Sequence, residues 1–242
     1  MITSSVKIFD SPQQLALKLA EELKNEVEKT LDNIFISLSG GNTPKVFLSM
    51  LAQPPFKTDI NWNKVQIFWC DERCVPPFDS ESNYGMTKQT LLDQINIPSE
   101  NIHRIMGESH PEKESVRYSK EIEKILPHDV NNFPQFDWLF LGLGEDGHTA
   151  SLFPNSDLTY SCSNIAGVAV HPVTGQKRIS LTEKIINNSK RVSFVITGKS
   201  KATTLKEILD DLAESKKYPA SHIKPLNGNL DWWIDKEAAF YL

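Results

Sequence analysis

Apolar residues along the chain follow two alternating patterns, one spaced like a helix face and one clustered like a buried strand. A cap at Ser11 and a first-turn proline at Pro12 predict a helix whose apolar face carries residues 16, 19, 20, 23 and 27. Further helices are predicted over residues 43–52 (Thr43 as cap), 84–92, 111–126 and 197–214, and a short one after Thr182 as cap. Apolar runs predict strands at residues 34–38, 65–70, 138–143, 167–170, 178–181, 192–196 and 232–234. Strands that alternate with helices indicate βαβ units and a mainly parallel sheet.

Four of these predicted strands end in polar or glycine-rich loops. The loops are the segments SGGNTP at 39–44, DERCVP at 71–76, GLGEDGHT at 142–149 and TGKSKA at 197–202. Ligands of parallel α/β sheets bind at the carboxyl ends of the strands. These four loops are therefore the candidate site.

The loop at 142–149 holds two candidate acid/base groups, Asp146 and His148, among three glycines. A lone histidine is usually structural, but this one lies in a glycine-rich turn after a strand, and its ordinary pKa suits a general base. The glycine spacing also matches a dinucleotide fingerprint. Pro154 stops any helix early and the next predicted strand ends in His171 rather than a carboxylate, so a nicotinamide site is not expected. No Gly-x-Ser-x-Gly or metal-ligand spacing is present, so neither a serine nucleophile nor a metal is expected.

The loop at 39–44 has a glycine pair, Gly40 and Gly41, directly before a predicted helix. Free N–H groups and the helix dipole make such a turn an anion cradle, which favours a phosphate. A tight turn with an N-cap would explain Thr43 and Pro44 equally well, although it does not require two glycines. The Gly-Lys-Ser/Thr ending of a P-loop is missing, so a nucleoside triphosphate is not expected.

Charged side chains in the other two loops also fit an anionic ligand. Arg73, two residues after Asp71, could clamp a phosphate or carboxylate, although a solvated turn is an equally simple interpretation. Lysines 199 and 201 lie at a helix start, where their charges oppose the dipole, which suggests that an anion is held there. Two solvated lysines are the alternative interpretation. Arg178 could add a further positive charge, or it could be an ordinary surface arginine.

Composition narrows the class of protein. The chain has 242 residues, of which 39% are hydrophobic and 24% charged, as in globular proteins, and its net charge of -5 argues against a nucleic-acid binder. No apolar segment is long enough for a membrane span or a signal peptide. Three cysteines, an odd number, argue against a disulfide framework and for a reducing compartment, so a cytoplasmic location is expected.

Taken together in order and spacing, six segments closely resemble the 6-phosphogluconolactonases. They are LSGGNTP (38–44), FWCDERCVP (68–76), FDWLFLGLGEDGHTASLFP (136–154), RISLT (178–182), TGKSKA (197–202) and WWIDKEAA (232–239). This family is similar in fold to the glucosamine-6-phosphate deaminases. The resemblance implies a Rossmann-like three-layer α/β/α fold, with residues 1–242 as one domain.

The resemblance also implies hydrolysis of 6-phospho-D-glucono-1,5-lactone to 6-phosphogluconate, without a cofactor or metal. His148 would be the catalytic base, and Arg73 would line the substrate. The phosphate would be bound by Lys201, Arg178 and the loop of Gly40, Gly41, Asn42 and Thr43. Asp71 and Asp146 fall at motif positions whose individual roles, like the oligomeric state, stay open.

Two other functions compete with the lactonase. A glucosamine-6-phosphate deaminase would share the glycine loop, Asp71 and the Asp-Gly-His turn, but those enzymes resemble DGHIAFNEP at the turn, with a glutamate where this chain has Phe153. They also have a tyrosine where this chain has Arg73. A non-catalytic sugar-phosphate sensor would keep the phosphate loops but would not need His148.

Overall fold

The central sheet of the protein is parallel. In the computed structural model, which describes residues 3–156, 158 and 164–242, seven strands form this sheet in the order β1-β10-β9-β6-β2-β3-β5, with every neighbouring pair parallel. The strands are β1 (Thr3–Phe9), β2 (Ile34–Leu38), β3 (Val65–Trp69), β5 (Ile102–His103), β6 (Trp138–Leu141), β9 (Arg191–Ile196) and β10 (Asn229–Asp235).

A second, smaller sheet lies at one side of the first. Within the described residues it has three antiparallel strands in the order β4-β8-β7, namely β4 (Asp71–Arg73), β8 (Lys177–Leu181) and β7 (Ala166–Val170). The backbone N–H of Leu181 donates to the carbonyl of Cys70, at 2.7 Å, just beyond the end of β3. The chain therefore passes directly from the large sheet into the small one at residue 70.

Helices cover both faces of the large sheet. They are α1 (Pro12–Lys29), α2 (Asn42–Leu51), α3 (Phe56–Asp59), α4 (Asn83–Thr87), α5 (Pro111–Ile125), α6 (Glu183–Asn187) and α7 (Ala202–Leu209). Phe47 of α2 packs on Phe140, on one face of the sheet. Tyr118 of α5 packs on Phe68, whose side chain the strand register places on the opposite face. The expected three-layer α/β/α fold with a mainly parallel sheet is confirmed.

Long amphipathic elements agree with their prediction. Ser11 caps α1 by accepting a hydrogen bond from the Gln14 N–H, and the predicted apolar face of α1 is fully buried. The strands predicted at 34–38, 65–70, 138–143 and 192–196 are β2, β3, β6 and β9 with small differences at their ends. Helix α5 also lies where it was expected.

Several local predictions are wrong. Thr43 is not the cap of α2, which begins at Asn42 with Gly41 as its cap residue. Thr182 is the cap residue of α6 as predicted, but its hydroxyl donates to the carbonyl of Asn164 and accepts no hydrogen bond from the helix. The helix expected to reach residue 214 ends at Leu209, because Asp211 turns the chain with a positive φ of 51°. The strands at 167–170 and 178–181 exist, but they belong to the small antiparallel sheet.

Candidate active site

The four loops singled out in the sequence come together at one edge of the large sheet. They follow β9, β6, β2 and β3, which are neighbours in that order, so their carboxyl ends are adjacent. A cavity of about 210 Å³ opens there. Seven of the predicted site residues line it, namely Gly40, Gly41, Asp71, Arg73, His148, Arg178 and Lys201. Asn42 and Thr43 line an adjoining cavity of about 420 Å³, which shares Gly40, Gly41 and Lys201.

His148 has one ring nitrogen fixed by Asp146. The Nδ1 atom lies 2.6 Å from Asp146 Oδ1, which also accepts the backbone N–H of His148 at 3.2 Å. Burial alone would raise the pKa of Asp146, but its hydrogen bond to His148 and the charge of that ring outweigh burial, so the pKa is lowered. An ionised Asp146 holds the proton on Nδ1 and leaves Nε2 as the basic nitrogen. Asp146 itself is not among the described residues that line the cavity.

Glycines make room for this pair. A Cβ atom on Gly144 would lie 2.2 Å from His148 Nδ1 and 2.6 Å from Asp146 Oδ1, so no other residue fits beside them. Gly147 has a φ of +79°, and a Cβ there would lie 2.3 Å from the ring of Tyr218. Gly144 and Gly147 thus allow the turn to fold onto its own side chains.

Hydrogen bonds hold the turn from several sides. The Gly144 N–H donates to the His148 carbonyl at 2.8 Å, and the Thr149 hydroxyl donates to the Gly142 carbonyl at 2.8 Å. The Ala220 N–H donates to the Gly147 carbonyl at 3.0 Å. The imidazole therefore lies on a rigid support, which a general base requires for accurate proton transfer.

Phe153 packs against the histidine. Its ring centroid is 5.1 Å from that of His148 and 5.1 Å from that of His171, and the Arg178 guanidinium carbon lies 5.6 Å from the Phe153 ring. Phe153 is 1% exposed. The position that carries a glutamate in the deaminase pattern is thus filled by an apolar ring that packs against the imidazole.

Asp71 lies on the small sheet rather than in a loop, and it is buried. Its Oδ2 accepts the Ser151 hydroxyl at 2.7 Å, and its Oδ1 accepts Asn83 Nδ2 at 3.1 Å. Asn83 lines the cavity as well, and its side chain occupies the space above Gly40, where a Cβ would lie 1.7 Å from Asn83 Oδ1. Asn83 was not among the site residues predicted from the sequence. The signal that could have identified it is its place directly after the helix cap Ser82.

Glu72 fixes the start of α4, which carries Asn83. Its Oε1 accepts the backbone N–H groups of Arg73 and Asn83, both at 2.8 Å, and its Oε2 accepts the Tyr84 N–H at 2.8 Å and the Ser82 hydroxyl at 2.9 Å. The segment 71–73, expected as a loop, is strand β4, which pairs with β8. Its buried carboxylates accept hydrogen bonds from residues elsewhere in the chain, such as Ser82 and Ser151.

Two arginines face each other across the small sheet. Arg73 and Arg178 are directly paired in the register of β4 and β8, so their side chains share a face. Burial lowers the pKa of Arg178, the neighbouring charge of Arg73 lowers it further, and Asp71 opposes that change. Like charges in direct opposition are unfavourable unless an anion lies between them, so this arrangement is chemically suited to an anion.

Two buried polar atoms at the cavity lack a partner. Among the described residues, Ser39 Oγ and Arg73 Nε make no hydrogen bond, and both residues line the cavity. Ser39 is 5% exposed and was not identified from the sequence. Buried polar groups are normally paired, so these two indicate a polar ligand that completes the site.

The loops after β2 and β9 meet at the adjoining cavity. The hydroxyls of Thr43 and Thr197 lie 2.7 Å apart and join the two loops. Gly41, with a φ of +106°, precedes α2, whose first N–H groups have no partner within the helix. Lys201 Nζ lies 3.5 Å from Glu145 Oε1, whereas Lys199 Nζ packs 3.5 Å from the Phe240 ring centre. Only one of the two predicted lysines is thus placed at the cavity.

In the described part of the chain, no three His, Cys, Asp or Glu side chains lie close enough together to hold a metal ion. No helix in residues 3–156 or 164–242 has the length and apolar character that crossing a membrane requires. Cys70 and Cys74 are free thiols, as expected, while Cys162 lies outside the described residues.

Comparison with known proteins identifies the family. The family model described as "Glucosamine-6-phosphate isomerases/6-phosphogluconolactonase" matches residues 10–232. The 6-phosphogluconolactonase of Haemophilus influenzae is 45% identical over 231 residues, which cover 95% of this chain and 96% of that protein. The crystal structure of a protein called devB superposes with a TM-score of 0.95 at 40% identity, covering 99% of this chain and 100% of that one. The 6-phosphogluconolactonase of Trypanosoma brucei superposes with a TM-score of 0.88 at 26% identity, covering 100% of both chains. The chain therefore belongs to the family of glucosamine-6-phosphate isomerases and 6-phosphogluconolactonases.

Proposed function

We propose that the protein hydrolyses 6-phospho-D-glucono-1,5-lactone to 6-phospho-D-gluconate, a step of the oxidative pentose phosphate pathway. The observation that carries this proposal is the His148–Asp146 pair beside a cavity with three cationic side chains. A base with a free Nε2 suits water activation, and the cations suit a phosphorylated substrate. Relatives named 6-phosphogluconolactonase that align with nearly the whole chain support the same activity.

The reaction needs no covalent intermediate, because a lactone is already an activated ester. His148 Nε2 takes a proton from water while the water oxygen forms a bond to C1. The carbonyl electrons move onto the oxygen, which is stabilised by Arg73 or by N–H groups of the glycine turn. The C1–O bond of the ring then breaks, and His148 returns the proton to the ring oxygen. General acid–base catalysis of this kind contributes about 10²–10⁴-fold.

The phosphate supplies the orientation. Lys201, Arg178 and the N–H groups at the start of α2 would bind it; Lys201 lies at the wall that the two cavities share, and Arg178 lines the 210 Å³ cavity. An anchored phosphate fixes the distance between C1 and the imidazole, and such positioning replaces a bimolecular encounter. We assign Asp146 to orienting His148, and Asp71 to accepting a sugar hydroxyl beside its bonds from Ser151 and Asn83.

The deaminase alternative is disfavoured by the residues around the imidazole. Sugar ring opening in those enzymes uses a glutamate with the histidine, and here the buried Phe153 occupies that place and cannot ionise. The arginine pair also suits the carboxylate of 6-phosphogluconate better than the ammonium group of an amino sugar. We further propose that residues 1–242 form one domain, which is supported by the family match over residues 10–232. We also propose a cytoplasmic location, which is supported by the odd number of cysteines.

The test is a lactonase assay on freshly generated lactone, corrected for spontaneous hydrolysis, with wild type and His148→Ala. We expect rapid hydrolysis by wild type, loss of most of kcat in the variant, and retained binding of 6-phosphogluconate. The control reaction is glucosamine 6-phosphate, from which no ammonia should be released above background. Catalytic release of ammonia and fructose 6-phosphate, or a His148→Ala variant with normal kcat, would show that this assignment is wrong.

A further inference from the structure

A chain of hydrogen bonds outside the cavity joins the two arginines. Arg73 Nη1 donates to the backbone carbonyl of Glu81, and the side chain of Glu81 accepts Gln176 Nε2 at 3.0 Å. Gln176 Oε1 in turn accepts Arg178 Nε at 3.3 Å. We call Glu81 and Gln176, which together connect the two arginines, the Glu81–Gln176 bridge. The described residues that line the 210 Å³ cavity include both arginines but neither member of the bridge.

The position of Gln176 follows from the hairpin between β7 and β8. Gln176 precedes β8 and lies two residues before Arg178, so their side chains share a face of the strand. The turn is closed by the His171 N–H, which donates to the Gln176 carbonyl at 2.9 Å, and by the Gly175 N–H, which donates to the His171 carbonyl at 2.9 Å. Gly175 adopts a φ of +70°, which this turn requires. The backbone thus holds Gln176 beside the guanidinium.

The contact at Nε decides how the Arg178 guanidinium is presented. A guanidinium is planar, with its donors in a fixed arrangement, so a partner at Nε sets the direction of the Nη edge. The Phe153 ring, 5.6 Å from the guanidinium carbon, limits the remaining freedom. Glu81 also adds a negative charge that raises the pKa of Arg178, against the larger lowering effects of burial and Arg73.

We propose that Gln176 is a positioning residue for Arg178, and that the Glu81–Gln176 bridge sets the affinity of the site for the phosphate of its substrate. This inference rests on the proposed function. The bridge holds the Arg178 Nη edge toward the cavity before the ligand arrives, so less rotamer freedom is lost on binding. Its effect therefore falls on KM and on the Kd of phosphorylated ligands, and not on proton transfer at His148.

The first test is Gln176→Ala, with Val173→Ala as the matched control. Val173 lies in the same turn and is 87% exposed. Loss of one hydrogen bond to a charged group predicts a rise of about 3–10-fold in KM for the lactone and in Kd for 6-phosphogluconate, with kcat unchanged within about 2-fold. Binding of unphosphorylated gluconate should stay the same, and Val173→Ala should match wild type throughout.

A reversal of the bridge gives a rescue test. Gln176→Glu places two carboxylates together and should weaken 6-phosphogluconate binding about 10-fold. Adding Glu81→Gln restores one amide and one carboxylate in exchanged positions, with the wild-type net charge. The double variant should bind several-fold more tightly than Gln176→Glu alone. A merely structural role would give no such coupling between the two changes.

Arg178→Ala separates failure of this inference from failure of the proposed function. If Arg178→Ala weakens phosphate-dependent binding while Gln176→Ala binds like wild type and the double variant is not rescued, the bridge has no positioning role. If wild type does not hydrolyse the lactone at all, the proposed function is wrong. Equal losses of kcat and affinity in Gln176→Ala, with a lowered melting temperature, would also overturn the inference.

Discussion

At the scale of single residues, the site depends on one short contact, between His148 Nδ1 and Asp146 Oδ1 at 2.6 Å. Because the pKa of Asp146 is lowered, the carboxylate stays ionised throughout the neutral range and fixes the tautomer of the ring. The stability that this group contributes is present above its unfolded pKa of about 3.8 and is lost as the pH falls through the lower folded pKa. Orientation of the base, rather than its charge, is what Asp146 supplies near pH 7.

We therefore expect Asp146→Asn to lower kcat by about 10²–10⁴-fold, because an amide can present its NH₂ group to Nδ1 and move the ring proton to Nε2. The Kd of 6-phosphogluconate should change by less than about 3-fold, since the phosphate groups are untouched. Steady-state kinetics and calorimetric titration measure the two quantities. A variant with normal kcat would show that the carboxylate does not control the tautomer.

Lys201 has a different task from His148. It lines both cavities, and its contact with the exposed Glu145, at 3.5 Å, is weak. We expect Lys201→Ala to raise the Kd of 6-phosphogluconate by about 10–100-fold, because a charge-assisted bond to the phosphate is lost. Binding of gluconate should be nearly unchanged. Lys199→Ala is the matched control, since Lys199 packs on Phe240, and equal losses for both ligands would exclude a phosphate contact by Lys201.

At the scale of elements, β4 and α4 are joined by one buried carboxylate. Glu72 accepts four hydrogen bonds, two on each oxygen, from β4 and from the first residues of α4. It is 2% exposed. Glu72 holds Ser82 and Asn83 in place, and the Asn83 side chain in turn donates to Asp71. The position of this cavity wall therefore depends on Glu72.

Glu72→Gln tests this element. The amide has one acceptor oxygen and turns two N–H donors toward groups that are themselves donors, at a cost of about 1–3 kcal/mol for each buried group left unpaired. We expect the free energy of unfolding to fall by roughly 2–4 kcal/mol in chemical denaturation, and 6-phosphogluconate binding to weaken. Glu237→Gln, at an exposed carboxylate, is the control. If the variant is as stable as wild type, Glu72 is protonated and uncharged in the folded wild-type protein.

The elements also show what the sequence can predict. Helix α1 and strands β2, β3, β6 and β9 follow from local periodicity, because each buries a pattern that lies entirely within itself. Strand β4 was missed because its partner β8 lies far away in the chain, and because Glu72 within it is satisfied mainly by donors from residues 82–84. Likewise, His148 and Asp146 are visible as neighbours in the sequence. The pairing of Arg73 with Arg178 becomes visible only when β4 and β8 meet in the folded protein.

At the scale of the whole molecule, the site is shared between two sheets. The large sheet supplies the loops of Ser39, His148 and Lys201, and the small sheet supplies Asp71, Arg73 and Arg178. A ligand that contacts both groups joins the two sheets, and the unpaired Ser39 Oγ and Arg73 Nε gain partners when it binds. Binding should therefore stabilise the protein as a whole, and not only one loop.

A thermal shift experiment measures this. At 100 times its Kd, a ligand that binds only the folded state adds about 2.7 kcal/mol of stability. For a chain of this length, that corresponds to a rise of about 5–10 °C in Tm. We expect 6-phosphogluconate to produce this rise in wild type and in His148→Ala, which keeps the binding groups, and gluconate to produce much less. At the same ligand concentration, Arg178→Ala on the small sheet and Lys201→Ala on the large one should each lose most of the shift. If one of these two variants keeps the full shift, the phosphate is bound by a single sheet, and the shared site is wrong.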